Sequence, residues 1–265
     1  MEYVTLNNGV KMPMLGYGTY QTPPGITEKC VADAIHFGYR SIDTAQCYGN
    51  EREVGLACRK SGIARKELFI TTKLWACRSY QDTLRSIDGS LKKLNMDYID
   101  LLLIHEPTGD VHEIYRAMET AYNEGKLRAI GISNFLEERY IDLINHCKTI
   151  PAINQVETHV FRQQKELRKL ECQIGTKHES WSPFACGKNG IWQNPTLLKI
   201  AQNHNKSVSQ IALRFLLQQG IIVIPKSTKP EHMKENLDVL DFDLDVEEMQ
   251  AIEELEVGRS LFGWW

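Results

Sequence analysis

The sequence predicts a single α/β domain of the (β/α)8 TIM-barrel class, preceded by an N-terminal β-hairpin. Three observations carry this. Short apolar runs recur down the chain, each followed by a stretch with helical periodicity. Their C-terminal ends lie roughly 24 to 32 residues apart, room for one strand, one crossover helix and its loops, which implies parallel strands. Eight such units fit in 265 residues, a length at which barrels are routinely one domain, here 1–265.

Taken in order, Val4–Leu6 and Met12–Met14 flank Asn7-Asn8-Gly9 and read as a small hairpin. The first barrel strand is Leu15–Gly18. Pro23-Pro24-Gly25 then opens a helix with Ile26, Cys30, Val31, Ala34 and Phe37 at helical spacing, and Gly38 offers its left-handed stop. Ser41–Asp43 and Phe69–Thr72 follow as strands. Ser79, with Asp82 three residues later, resembles a capping box ahead of a stripe of Leu84, Ile87, Leu91 and Leu94. Ile99–Ile104 is almost continuously apolar, as a strand covered on both faces should be. Ala129–Ser133, Ala152–Glu157 and Thr176–Trp181 complete strands five to seven. A helix over Ser207–Gln219, closed by Gly220, precedes the eighth strand, Ile221–Ile224.

Composition narrows the partners. A net charge of −3 gives no basic footprint for nucleic acid or anionic membrane. No apolar run approaches the roughly 20 residues that span a bilayer. Met1–Thr5 lacks the layout of a signal peptide, so a cytoplasmic location is expected; short edges and a balanced surface suggest a monomer. The seven cysteines form no Cys-x-x-Cys pair, and His105-Glu106 and His178-Glu179 lack the second histidine of a zinc-protease helix, so no metal is expected. Gly16-Tyr17-Gly18 has Gln21 where a dinucleotide fingerprint needs its third glycine. Gly131-Ile132-Ser133-Asn134-Phe135 lacks the last glycine of a nucleophile elbow.

In a parallel barrel, residues at the C-terminal strand ends converge on one mouth. Asp43, Lys73 and His105 stand at three consecutive ends, and Tyr48 lies just beyond Asp43. Each has a plainer reading: a structural ion pair, a core histidine, a turn tyrosine. Together they suggest acid catalysis. A free phenol titrates near 10, and a neighbouring ammonium would lower it toward use as an acid. Asp43 would keep Lys73 charged, which argues against a Schiff-base lysine. A proton donor beside a polarised oxygen is half of a carbonyl reduction. The hydride must come from a nicotinamide cofactor, because no side chain supplies one.

At these residues the chain resembles the aldo-keto reductases. The matching segments are Gly38–Ala45 with Tyr48–Glu51, Asp97–His105, Gly131–Phe135, Asn154–Glu157 and Ile224–Ser227. The resemblance implies an NAD(P)H-dependent reductase of small carbonyl compounds, with Asp43, Tyr48, Lys73 and His105 as its catalytic tetrad. It implies that Ser133, Asn134 and Gln155 hold the carboxamide and that Trp181 stacks on the nicotinamide. It further implies that Thr19, Asp43, Ser182, Phe184, Lys226, Ser227, His232, Glu235 and Asn236 contact the rest of the cofactor. Tyr20, Tyr48, Trp75, His105 and Glu106 are the expected substrate contacts. The alternative is a non-catalytic or slow cofactor-binding module on the same barrel.

Three departures qualify the transfer. His232 stands where the family often has an arginine that grips the 2′-phosphate. NADPH is therefore the expected cofactor, with NADH admitted. Glu106 replaces a common tryptophan, which disfavours anionic substrates unless Glu106 turns outward or pairs with a neighbour. The chain ends at Leu261–Trp265 after a short fourth loop, leaving an open pocket that the two final tryptophans either line or do not reach.

Overall fold

A computed structural model describes residues 1–263; the expectation for Trp264 and Trp265 falls outside the described residues. The hairpin forms from β1 (Tyr3–Thr5) and β2 (Lys11–Pro13), antiparallel with Tyr3 opposite Pro13. Both strands begin one residue earlier than the alternation predicts. The barrel strands are β3 (Tyr17–Gly18), β4 (Ser41–Asp43), β5 (Phe69–Leu74), β6 (Leu101–Ile104), β7 (Ile130–Ser133), β8 (Ile153–Glu157), β9 (Lys177–Trp181) and β10 (Ile222–Val223). Each pairs in parallel with the next.

The two ends of this sheet meet. Leu15 bridges Val223 in parallel, and the Gly16 N–H donates to the Val223 carbonyl at 2.8 Å. The Gly18 N–H continues the seam to the Pro225 carbonyl at 3.1 Å. A side chain at Gly18 would lie 2.8 Å from the Ile224 carbonyl oxygen, so the seam can close only on glycine.

The helices are α1 (Pro24–Phe37), α2 (Glu51–Lys60), α3 (Tyr80–Leu94), α4 (Val111–Asn123), α5 (Glu137–His146), α6 (Lys165–Ile174), α7 (Pro195–His204), α8 (Val208–Gln218), α9 (Pro230–Leu237) and α10 (Val246–Glu253). Gly38 ends α1 with φ +119°. At α3 only half of the expected capping box forms. Ser79 accepts from the Asp82 N–H, while Asp82 reaches back past it to the Arg78 N–H. Ser207 and Gln210 make the full reciprocal box at α8.

Alternation along the strands sorts two interiors. Outward residues such as Ile42, Ile70, Leu102, Ile132 and Val156 pack under the helices. Inward residues Phe69, Leu101, Leu103, Ala129, Ile153 and Ile222 fill the barrel's lower half, and Leu6 and Met12 of the hairpin seal it from below. Above that apolar floor the inward positions turn polar: Asp43, Lys73, Ser133, Gln155 and Glu179, all buried. No helix among the described residues is long and apolar enough to cross a membrane.

Candidate active site

The acidic and basic members of the site come from adjacent strands. Lys73, fully buried on β5, donates to Asp43 Oδ1 on β4 at 2.5 Å and to the Thr44 carbonyl at 3.0 Å. Its third neighbour is Tyr48 Oη at 3.5 Å. The turn carrying Tyr48 is pinned from two sides. Gln46 Nε2 donates to Ser86 Oγ and Ser90 Oγ of α3, both at 2.9 Å, while Gln46 Oε1 accepts from the Trp75 N–H at 2.9 Å. Asn50, buried below the turn, accepts from Thr44 Oγ1 and donates to the Thr19 and Thr22 carbonyls.

These contacts set the charge states. Burial alone would push Lys73 down, but the Asp43 carboxylate overcomes it and holds the ammonium above its usual value. Burial pushes the Tyr48 phenol up, and Lys73 pulls it back only in part. The net direction is upward, the reverse of what the ammonium alone would give. Tyr48 therefore holds its proton through neutral pH, with the Lys73 ammonium as the charge nearest to offset a phenolate there. His105 follows β6 and faces Tyr48 and Trp75 edge-on, with ring centroids 5.6 and 5.3 Å away. Burial, seconded by Lys73, pulls its imidazole down to about 3, so it is neutral. Nδ1 lies 3.4 Å from Cys47 Sγ, and Nε2 has no hydrogen-bond partner among the described residues.

A cavity of ≈ 570 Å³ opens over this group. Of the residues expected at the site, Tyr20, Asp43, Tyr48, Trp75, His105, Glu106, Ser133, Asn134, Gln155, Trp181, Ser182, Phe184 and Lys226 line it. Lys73 stands directly behind the wall. Thr19 does not reach the cavity: it is fully buried, and its hydroxyl donates to the Asp43 carbonyl at 2.9 Å. Ser227, His232, Glu235 and Asn236 lie beyond the wall, on the loop after β10 and on α9. His232 is exposed and Asn236 buried.

The polar half of the wall is organised around three amides and hydroxyls. Ser133 Oγ is buried without a protein partner. Asn134, with φ +63°, accepts from Trp181 Nε1 at 2.8 Å and donates to Glu106 Oε1 at 3.0 Å. Glu106 therefore pairs with a neighbour and still borders the cavity. Burial raises its carboxyl to about 7, against the Asn134 hydrogen bond. Gln155 Nε2 donates to Asp43 Oδ2 at 3.0 Å and to Glu179 Oε2 at 2.9 Å.

Several wall residues escaped sequence reasoning. Cys47 is one, legible only as the neighbour of Tyr48. Phe262 is another; its ring meets Trp181 at 5.1 Å, and the Leu261 N–H beside it donates to Glu157 Oε1 at 2.9 Å. Glu179, behind the wall, carries no local signal at all. Among the described residues, one set of metal-type ligands comes within 4.8 Å: His112, Asp142 and His146, at the surface of α4 and α5.

Known proteins resemble this chain over nearly its whole length. The model of the Aldo/keto reductase family matches residues 14–257. The glyoxal reductase of Bacillus subtilis is 45% identical over 258 residues, covering 96% of this chain and 92% of its own. The methylglyoxal reductase DkgA of Yersinia pestis is 41% identical over 261 residues, covering 97% and 94%. Among solved structures, MGS-M4, an aldo-keto reductase from a Medee basin deep-sea metagenome library, superposes with a TM-score of 0.96 at 43% identity, covering 98% of this chain and 97% of that one. The chain is therefore an oxidoreductase that belongs to the aldo/keto reductase family.

Proposed function

We propose that the protein reduces small, uncharged aldehydes and ketones to alcohols with NADPH, and with NADH as a second choice, acting as a cytoplasmic monomer. The observation that carries this reading is Tyr48 Oη on the cavity wall, backed by the buried Lys73–Asp43 pair and faced by a neutral His105. A reduced nicotinamide cofactor, when bound, supplies the hydride. Ser133, whose buried hydroxyl lacks a protein partner, suits the cofactor's carboxamide, with Asn134 and Gln155 beside it. Trp181 offers its ring to the nicotinamide. Ser182, Phe184 and Lys226 suit the diphosphate, and Ser227, His232, Glu235 and Asn236 the adenosine end. Thr19 acts at one remove, through the Asp43 backbone.

The chain's own part is proton chemistry and orientation. Tyr48 gives its phenolic proton to the carbonyl oxygen. Lys73 stabilises the phenolate left behind, and Asp43 keeps Lys73 charged. His105, with its proton on Nε2, donates to the same oxygen and fixes its direction. Tyr20, Trp75 and Phe262 form the apolar wall, and Glu106, which ionises around pH 7, repels carboxylate substrates as pH rises past that point. The names of the glyoxal and methylglyoxal reductases fit small dicarbonyls as first substrates to assay.

The test is loss of 340 nm absorbance from NADPH with methylglyoxal, for wild type and Tyr48→Phe. A fall in kcat of about 10²–10⁴ with cofactor affinity unchanged is expected. A variant that keeps wild-type turnover would overturn the assignment of the proton donor.

A further inference from the structure

One buried ionisable group has no part in that chemistry. Glu179 lies on β9 inside the barrel, fully buried, opposite Gln155 of β8 on one side and Ile222 of β10 on the other. Its Oε2 accepts from Gln155 Nε2 at 2.9 Å, and the same nitrogen donates to Asp43 Oδ2 at 3.0 Å. An amide NH₂ has two hydrogens, and here both are committed to carboxyl groups on opposite sides.

We propose that Glu179 is a positioning residue for the cofactor: with Asp43 it consumes both Nε2 hydrogens of Gln155 and so turns Gln155 Oε1 outward as an acceptor for a carboxamide N–H. The inference rests on the nicotinamide reading given above. The flipped amide would set Gln155 Oε1 against the Asp43 carboxylate that Lys73 holds, and the Glu179 proton sits on Oε1, which has no partner, rather than on the Oε2 that faces Gln155. Asp43 alone could hold only one hydrogen and would leave Gln155 free to rotate toward the other.

The second consequence concerns charge. Lys73 from β5 is the cation that serves Asp43 from β4 and Glu179 from β9; β8 contributes the neutral Gln155, and β10 contributes Ile222 and Val223. Burial, followed by the Asp43 charge, pushes Glu179 up to about 8. At neutral pH Asp43 therefore has Lys73 to itself. Ionisation of Glu179 at higher pH adds a second negative charge beside Lys73, weakening its support of the Tyr48 phenolate.

Two variants separate the roles. Glu179→Gln retains an acceptor for Gln155 and cannot ionise; Glu179→Met is similar in length and offers no comparable acceptor. Affinities for NADPH and for the analogue that lacks nicotinamide, 2′-phospho-ADP-ribose, are read by quenching of tryptophan fluorescence. Glu179→Met should bind NADPH about tenfold more weakly, the loss of one hydrogen bond, and bind the analogue as wild type does. Glu179→Gln should bind both as wild type does. It should also lack the decline in kcat expected of wild type as pH rises through about 8. An unchanged NADPH-to-analogue ratio in Glu179→Met overturns the positioning role. If Glu179→Met does not fold, Glu179→Gln decides: a fall in its NADPH-to-analogue affinity ratio, although the acceptor for Gln155 is kept, overturns the positioning role, and the same decline near pH 8 overturns the charge role. Failure of wild type to bind NADPH while it binds the analogue, or to bind either, overturns the cofactor reading and this inference with it.

Discussion

Replacing Glu106 by glutamine should stabilise the protein at neutral and alkaline pH, and hardly at all at pH 5. Glutamine keeps an oxygen for the Asn134 amide to donate to, so the 3.0 Å contact survives while the ionisable proton is removed. Burial raises the Glu106 carboxyl from the ordinary 4.5 to about 7, opposed by that hydrogen bond. The folded state thus binds this proton more tightly than the unfolded chain does. The stability Glu106 contributes is fully present below pH 4.5 and is lost as pH rises through about 7. At full weight the displacement is worth about 3 kcal/mol. Glu106 is only partly buried, so solvent screening reduces it to about 1.5 kcal/mol. For a domain of this size that is a Tm gain of about 3–6 °C at pH 8. At pH 5 the two proteins should melt together to within about 1–2 °C. Calorimetric scans of both proteins at both pH values measure it. An equal gain at pH 5 and pH 8 would refute the reasoning, because it would locate the effect in packing; so would no gain at pH 8.

Two further substitutions probe the frame and the cofactor end. Gly131→Ala puts a methyl 2.5 Å from the Ile153 carbonyl oxygen and 2.8 Å from Leu103 Cδ2; a loss of about 2–3 kcal/mol in urea denaturation is expected, and wild-type stability would mean that β7 yields freely. His232→Arg supplies a permanent charge and a planar fork on α9 and should raise the preference for NADPH over NADH about tenfold in relative Kd, whereas an unchanged ratio would place the 2′-phosphate elsewhere.

The strand ends were legible because parallel strands under helices must be apolar on both faces, so each run is visible and its last polar residue stands out. Asp43, Lys73 and His105 are such residues. Boundaries drifted where neighbours decide them. Leu15 and Gly16 read as strand from their own sequence, yet only Tyr17–Gly18 form a continuous one, because the seam with Val223 and Pro225 is a few hydrogen bonds long. Glu179 was invisible for another reason: one carboxylate in Lys177–Trp181 looks like any solvent-facing strand residue until the closed barrel fixes which face is inside. The phenol's charge state failed similarly. Lys73 is apparent from the chain, but the burial that outweighs it belongs to the assembled mouth.

The apolar floor laid by Leu6 and Met12 beneath Phe69, Leu101 and Ile153 makes the barrel a blind well with a single rim. Nothing reaches Tyr48 from below. On the proposed function, a proton that leaves the phenol is replaced through the same opening that admits the substrate and releases the alcohol. Recharging of the acid would then be tied to the emptying of the pocket, and one turnover would have to vacate the mouth before the next could draw on it.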